Sequence, residues 1–347
     1  MDSKIKRLPD INIAAKINII NLHFYRSLSM SQPLKIGCCI YLVLIMSGTL
    51  PVWGQNIHYS NIREKLFVHN PSAITNTENI SFQTTFRNQW PGSSTYNTID
   101  GAFLIHSEPL KSTAGILIIR DVQGNSIINH TSFGLVYAYK LQLADQWHLS
   151  AGITGTYNIY QTNFGRLTFE NGQTPLIPLN EDLKYFDFST GLELAYSDQA
   201  KYGFSVSRLA SITYDLDYVP SVQINISYLG NYILGTVYDN SALKLQPAIL
   251  ASIQRSSSEL LYGARIAISS FEAGIYVRQN LRFEFDALII LLGIRYGNIS
   301  FYYSYDINLP ASSSRFTNLA AHEVTFLYDM QYKRKRSNRK AIKCPKF

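Results

Sequence analysis

The stretch Ser132-Phe133-Gly134-Leu135-Val136-Tyr137-Ala138-Tyr139-Lys140-Leu141 decides the fold of this chain. Large apolar or aromatic side chains recur at every second position: Phe133, Leu135, Tyr137, Tyr139 and Leu141. Small or polar residues fill most positions between them. A period of two indicates a β-strand with one apolar face, whereas a helix would show a period of 3.6.

The same alternation extends in both directions from this stretch. Upstream, Ile80, Phe82 and Phe86 alternate with polar residues that include Arg87, and downstream the last strand runs through Val324 and Phe326. About fourteen such segments begin near Ile80, Thr98, Ala114, Asn129, Trp147, Tyr185, Tyr202, Val222, Leu243, Leu260, Phe271, Leu281, Ile299 and Glu323. Most of them approach the ~9–11 residues that a tilted strand needs to cross a bilayer.

The polar faces of these strands distinguish a membrane barrel from a soluble fold. A secreted sandwich or propeller also alternates, but its outer face should be rich in Lys and Glu. Here the polar positions are mostly Ser, Thr, Gly, Asn and Gln, and charged residues form only 16% of the chain, against roughly a quarter in soluble domains. The 24 Tyr suit the aromatic girdles of a membrane barrel.

The sequence therefore predicts an all-β fold, a single closed antiparallel transmembrane β-barrel of about 14 strands. Closure is required because every backbone N–H and C=O group must be paired within lipid. One segment, Asp286 to Leu292, is apolar on both faces, so we expect something apolar to cover its inner side.

The chain is predicted to have four parts. Residues 1–54 read as an extended n-region and a signal peptide, with an apolar run from Ile36 to Met46, cleavage after Gly54 and a true translation start at Met30. An uncleaved anchor helix is the alternative, but the run is short for a span. Residues 55–78 are predicted to form a plug-like segment on the periplasmic side, residues 79–333 the barrel, and residues 334–347 a basic periplasmic tail.

The charge of the chain lies at its ends. The net charge is +7, yet residues 55–329 hold 17 basic and 22 acidic side chains, while Lys333 to Lys346 contain eight Lys or Arg and no acid. A nucleic-acid partner is therefore not expected, because the basic excess is confined to tails. The tail could instead bind an anionic polymer or an acidic protein, or simply be solvated.

The sequence offers little for catalysis. It has no H-E-x-x-H or C-x-x-C motif, and the predicted mature chain keeps only Cys344, so an internal disulfide is impossible. His130, His148 and Asp100 could act as acid and base in a barrel hydrolase, but hydrogen-bonded lumen residues are the better interpretation. We expect no enzymatic activity, no cofactor and no metal.

Several strings resemble the PorP/SprF family, outer-membrane proteins of the type IX secretion system of Bacteroidota. They are Asn70-Pro71-Ser72-Ala73, Arg87-Asn88-Gln89-Trp90-Pro91-Gly92, Gly203-Phe204-Ser205-Val206-Ser207-Arg208-Leu209, Leu245-Gln246-Pro247-Ala248, Asp286-Ala287-Leu288-Ile289, Tyr303-Ser304-Tyr305-Asp306, His322-Glu323-Val324 and Cys344-Pro345-Lys346-Phe347. The chain departs from the family at Arg208, where His is more frequent, and at Asn76, where Gly is common.

The resemblance implies an outer-membrane barrel, without enzymatic activity, that supports secretion or surface anchoring of proteins carrying a type IX C-terminal signal. Periplasmic lipoprotein and peptidoglycan-binding components are the implied partners, together with outer-membrane lipid, and gliding relatives imply a surface adhesin. An outer-membrane channel or porin for small solutes is the alternative function. The candidate partner-binding residues are Asn70, Pro71, Arg87, Asn88, Gln89, Trp90, Pro91, Lys333, Arg334, Lys335 and Arg336, although plain turn chemistry would also explain the Asn-Pro and Trp-Pro-Gly strings.

Overall fold

The computed structural model describes residues 57–76, 80–91, 96–163, 180–209, 212–213, 222–237, 241–255, 257–309 and 320–330. The described chain opens with helix α1 (Ile62–His69) and a 3₁₀ helix, η1 (Pro71–Asn76), and a second 3₁₀ turn, η2, covers Glu108–Leu110. The strands are β1 (Ile80–Gln89), β2 (Tyr96–Ser107), β3 (Ser112–Gln123), β4 (Ile128–Ala144), β5 (Trp147–Asn163), β6 (Asn180–Tyr196), β7 (Ala200–Ser207), β8 (Ile212–Thr213), β9 (Gln223–Gly230), β10 (Tyr232–Thr236), β11 (Ala242–Gln254), β12 (Ser258–Ile268), β13 (Phe271–Gln279), β14 (Phe285–Tyr296), β15 (Ile299–Asn308) and β16 (Ala320–Met330).

These strands close into one antiparallel ring. Ile80 of β1 pairs with Ile105 of β2 on one side and with Met330 of β16 on the other, so the first and last strands are neighbours. The two shortest strands extend wall strands and add no new position: β8 follows β7 along β6, and β10 follows β9 along β11. Within the described residues the wall therefore has fourteen strands, which confirms the predicted barrel.

One strand begins later than the sequence predicts. The alternation placed a strand start near Leu281, but β14 begins at Phe285. The side-chain oxygen of Asn280 accepts hydrogen bonds from the backbone N–H groups of Arg282, at 2.9 Å, and Glu284, at 3.0 Å. This local turn competes with strand pairing, as Asn side chains commonly do.

The two ends of the barrel differ in their connections. At one end, which we call the turn rim, β1 begins, β16 ends and connections such as residues 145–146, 269–270 and 297–298 are very short. At the other end, the loop rim, long segments such as residues 164–179 and 309–319 join the strands. Outer-membrane barrels have short turns on one side of the membrane and longer loops on the other, and the two rims show the same difference.

The outer face of the wall is apolar. On β4 the outward Leu135 is 69% exposed, whereas the inward Val136 and Ala138 are buried. Large exposed apolar side chains recur in the same alternation on most strands, as on β6 and β14. Such a continuous apolar exterior is suited to lipid and would be unusual for a soluble monomer.

The inner side of β14 is covered, as its two apolar faces led us to expect. Ala287, Ile289 and Leu291 are fully buried and belong to the same apolar cluster as Ile62 and Leu66 of α1. No helix in the described part of the chain is long and apolar enough to cross a bilayer.

Candidate functional site: a plug seated in the barrel

Residues 57–76, which we call the plug, cross the lumen between the two rims. Near the loop rim His58 pairs with Glu259, the second residue of β12. Close to the turn rim the hydroxyl of Thr75 lies 2.8 Å from that of Ser150, near the start of β5. The sequence interpretation placed this segment as a plug at the periplasmic mouth. In the structure the segment runs inside the barrel, from His58 near one rim to Thr75 near the other.

A group of buried charges, the charged latch, fixes the start of the plug to the wall. It consists of Ser60, Arg87, Arg278, Asp306 and Glu323. Arg87 Nη2 lies 2.8 Å from Asp306 and its Nη1 lies 3.3 Å from Glu323, while Arg278 Nη2 lies 3.0 Å from Asp306. The hydroxyl of Ser60 donates to Asp306 at 2.5 Å. All five side chains are at most 3% exposed, so the charges of Arg87, Arg278, Asp306 and Glu323 are compensated mainly by one another.

Glu323 of the latch also receives the backbone at the start of α1. The N–H groups of Ser60 and Asn61 donate to its two carboxylate oxygens at 2.8 and 3.0 Å. Amide groups at a helix start have no partner within the helix and favour negative charge. The wall thus supplies the cap that the side chain of Asn61 does not provide.

A second buried ion pair holds the middle of the plug. Lys65 Nζ lies 2.5 Å from Asp100 on β2, and the Lys65 side chain is fully buried. The ammonium group also lies 5.3 Å from the ring centre of Tyr59 and 5.6 Å from that of Phe67. A buried lysine is tolerated only with such a counter-charge, because isolated charges are costly in an apolar interior.

Pro247 interrupts the backbone pairing on one side of β11, and a plug side chain binds the carbonyl groups there. Pro247 has no N–H to donate to the ladder, and the pairing of β11 with β9 and β10 is interrupted opposite it. Arg63 Nη1 donates to the carbonyl of Gly230 at 2.9 Å and to that of Pro247 at 3.3 Å. The plug therefore supplies hydrogen-bond donors to backbone carbonyl groups at the point where the ladder is interrupted.

The next plug residue is held by charge as well. Glu64 Oε1 lies 3.2 Å from Arg265 Nη2 on β12. This ion pair lies in the turn-rim half of the lumen and connects α1 to the wall.

The dipeptide Asn70-Pro71 packs directly against three glycines of the wall, which we call the glycine seat. They are Gly152, Gly191 and Gly203, on the consecutive strands β5, β6 and β7. A Cβ on Gly191 would overlap the side-chain oxygen of Asn70, one on Gly203 would lie 2.7 Å from its side-chain nitrogen, and one on Gly152 would lie 2.5 Å from the carbonyl carbon of Pro71. The plug can approach the wall this closely only because no side chain intervenes.

Hydrogen bonds complete the seat. The Asn70 side-chain nitrogen donates to the carbonyl of Leu192 at 3.1 Å, and its oxygen accepts from the hydroxyl of Ser72 at 2.7 Å. Ser205 and Asn225 both donate to the carbonyl of His69, at 2.6 and 3.1 Å.

The structure separates the predicted site residues into three groups. Asn70, Pro71 and Arg87 all lie at the interface between plug and wall, but in two separate places: Arg87 belongs to the charged latch, and Asn70 and Pro71 lie in the glycine seat. Asn88 has the opposite parity to Arg87 on β1 and so faces outward. Gln89, Trp90 and Pro91 lie at the loop rim, where the Trp90 ring packs edge-on against Tyr96 at 4.8 Å. Lys333, Arg334, Lys335 and Arg336 lie outside the described residues.

The sequence did not indicate that Lys65, Asp306, Glu323 and the three glycines hold the plug. The available signal was the scarcity of charge: an acid on the polar face of an otherwise Ser/Thr-rich strand requires a partner. Of the residues considered as acid or base, Asp100 is paired with Lys65, and His130 Nε2 lies 3.1 Å from the side-chain oxygen of Asn158. In the described ranges no group of three or more His, Cys, Asp or Glu could hold a metal ion.

The strings that were separate in the sequence converge on the plug. Asn70-Pro71 lies in the glycine seat, Gly203 and Ser205 belong to its wall, and Pro247 meets Arg63. Three further strings contribute the latch residues Arg87, Asp306 and Glu323. The string from Asp286 to Ile289 lies on β14, whose inner side packs in the same apolar cluster as α1, and the string from Cys344 to Phe347 lies outside the described residues.

Comparison with known proteins gives one family and several solved barrels. The family described as "Type IX secretion system membrane protein PorP/SprF" matches residues 53–328. No curated protein matches the chain. A FadL homologue from Pseudomonas aeruginosa is 12% identical, with 78% of this chain and 95% of that chain covered and a TM-score of 0.43. The P. putida toluene transporter TodX is 6% identical over 76% and 93% of the two chains, with a TM-score of 0.45. CdiB from Acinetobacter baumannii is 8% identical over 72% and 60%, with a TM-score of 0.42.

Proposed function

The chain belongs to the PorP/SprF family of type IX secretion system membrane proteins, and on this premise we propose that it is a non-enzymatic, plugged scaffold of the outer membrane. In this role it supports the secretion or cell-surface anchoring of partner proteins, including adhesins of the gliding type. The family is one of secretion membrane proteins and not of enzymes.

The seated plug is the observation that carries this proposal. A diffusion channel needs a continuous aqueous path, whereas here the lumen holds α1 and η1. Their apolar side chains, Ile62, Leu66 and Ile74, are buried against the wall. Two buried ion-pair systems and the glycine seat fix the plug at different heights. A barrel closed in this way is suited to present its rims to other proteins.

The partners are assigned by rim. At the turn rim and the basic tail, we assign contacts to periplasmic type IX lipoprotein and peptidoglycan-binding components. The tail residues Lys333, Arg334, Lys335 and Arg336 would act there through short-range, salt-sensitive attraction. The loop rim, with Asn88, Gln89, Trp90 and Pro91, is assigned to the secreted protein that carries a type IX C-terminal signal.

Asn70, Pro71 and Arg87 have a different role in this proposal. They lie within the lumen and hold the plug, so they act on partner binding only through the closed state of the barrel. In this proposal residues 1–54 hold a Sec-type signal peptide that directs export and is removed, and the mature barrel resides in the outer membrane.

Affinity capture tests the scaffold role. The full-length protein is isolated from outer membranes in mild detergent, and co-purifying proteins are identified by mass spectrometry. Recovery of type IX components is expected, and their complete absence would contradict the proposal. Deleting residues 334–347 should reduce recovery of periplasmic components in low salt; unchanged recovery would remove the tail from the proposal.

Planar-bilayer recording separates the scaffold from the small-solute channel. The intact protein should be silent, and a steady open conductance would favour the channel. Replacing Trp90 with Ala tests the loop rim, and we expect reduced secretion with normal assembly. Unchanged secretion would indicate that Trp90 serves only to form the turn.

A further inference from the structure

The first and last strands of the wall meet without a turn to join them. Residues Ile80–Gln89 of β1 pair with residues Ala321–Met330 of β16, and we call this ladder the seam. The other neighbouring wall strands follow each other along the chain, and in a hairpin the turn and its length help to fix the register. At the seam, the register has to be specified by side chains.

The apolar pattern alone does not specify the register of the seam. A slip of one residue would turn the apolar face of β1 into the lumen, but a slip of two residues keeps every side chain on its own face. Phe86 lies opposite Val324, and after such a slip it would lie opposite Phe326, which is also apolar. A slip at the seam changes the stagger of the closed barrel and with it the tilt of the strands.

Charge distinguishes the registers that the apolar pattern permits. Arg87 lies directly opposite Glu323, and its Nη1 lies 3.3 Å from the Glu323 carboxylate. A slip of two residues would place Arg87 opposite Thr325 or Ala321, neither of which is charged. Both members of the pair are at most 2% exposed, so separating them inside the protein is strongly unfavourable.

Opposed charges of this kind are confined to the seam. Among the described pairs of neighbouring strands, the seam alone places an Arg or a Lys directly opposite an Asp or a Glu. Elsewhere Lys140 lies opposite Ser150, and Arg265 lies opposite Gln246 and Gly274. The ladder that lacks a turn is therefore the one that carries the opposed charges.

We infer that the Arg87–Glu323 pair selects the register in which the barrel closes. Buried polar and ionic pairs are known to specify register in other folds. This role concerns how the wall forms, and it goes beyond the proposed scaffold function. Glu323 also receives the N–H groups of Ser60 and Asn61. The register that pairs the two charges is thus also the one in which the start of the plug meets its cap.

Competing disulfides in the assembled protein report the register. The full chain carries Phe86→Cys, Val324→Cys and Phe326→Cys, and Cys344→Ser removes the remaining cysteine of the predicted mature chain. Position 86 lies opposite position 324 in the structure and would lie opposite position 326 after a slip of two residues. Oxidation in isolated outer membranes, followed by mass spectrometry of the cross-linked peptides, gives the ratio of the 86–326 disulfide to the 86–324 disulfide. The 86–324 disulfide should be the main product.

Moving the acid by two positions should move the register. Glu323→Thr together with Thr325→Glu places the carboxylate opposite Arg87 only in the slipped register. We expect the ratio of the 86–326 to the 86–324 disulfide to rise at least about tenfold, which corresponds to ~1.4 kcal/mol. Adding Arg87→Met is the matched control and should cancel most of the rise, because no cation then favours either register.

Heat-dependent electrophoretic mobility verifies that each variant forms a folded barrel. An unchanged ratio in the folded chain with the moved acid would overturn the inference, and so would a rise that persists with Arg87→Met. If the chain with the moved acid forms no barrel, Arg87→Met with Glu323→Gln supplies the readout. There the ratio should rise at least about threefold, or ~0.7 kcal/mol, with the 86–324 disulfide still the main product. An unchanged ratio in this neutral chain would equally overturn the inference.

Discussion

Replacing Arg87 with methionine should displace the plug from the lumen while the barrel stays folded. Methionine fills a similar volume but removes the charge that Asp306 and Glu323 share. Asp306 keeps Arg278 as a partner, whereas Glu323 keeps only the N–H groups of Ser60 and Asn61. The variant therefore leaves a carboxylate that is almost fully buried without a cationic partner.

The size of the effect follows from the burial of this carboxylate. Removing one partner of a buried ion pair costs about 3–5 kcal/mol. At ~1.4 kcal/mol per factor of ten, the ratio of unseated to seated plug rises by roughly two to nearly four orders of magnitude. The cost falls mainly on plug seating, because Glu323 caps the start of α1 and the wall strands keep their backbone ladders.

Planar-bilayer conductance measures the outcome. The unaltered protein should be silent, and Arg87→Met should show openings. Adding Glu323→Gln in the same chain should restore most of the silence, since a neutral pair leaves no uncompensated charge. A silent Arg87→Met protein with a normal barrel would refute the reasoning, and so would a double variant that opens as often as the single one.

Further variants test the other contacts of the plug. Gly191→Ala places a methyl group where the side chain of Asn70 lies, so we expect a cost of about 1–3 kcal/mol and faster protease cleavage within the plug; Gly101→Ala has no atom within 4 Å of its new carbon and should cleave like the unaltered protein. Equal cleavage of the two variants would contradict the glycine seat. Lys65→Met strands Asp100 and should lower plug stability by about 3–5 kcal/mol, read as a lower urea midpoint for protease protection. Adding Asp100→Asn should recover most of that loss, and no recovery would contradict the ion pair.

Local alternation was sufficient to predict the wall. Strand starts such as Ile80 and Trp147 coincide with those in the structure, because a strand with one face in lipid must repeat with period two whatever lies far away in the chain. The boundary of β14 was missed where the side chain of Asn280 forms a turn, a local hydrogen bond that hydrophobic periodicity does not report.

The plug could be predicted only as a segment. The Asn-Pro signal and the doubly apolar Asp286–Leu292 segment indicated that something apolar enters the barrel. They did not indicate where it runs, because α1 is short and its partners come from strands far apart in sequence. Lys65 and Asp100 are 35 positions apart, and Arg87 and Glu323 are 236 apart.

By itself, the sequence determined the strand number, the lipid-facing side of each strand and the resemblance to a secretion family, since each of these depends on short-range pattern. Only the tertiary structure decided that residues 57–76 run inside the barrel, that Arg87 is a latch residue, that Asn70 needs three glycines and that β10 projects past its neighbour. These features depend on ring closure and strand register, which bring distant residues to the same height in the barrel.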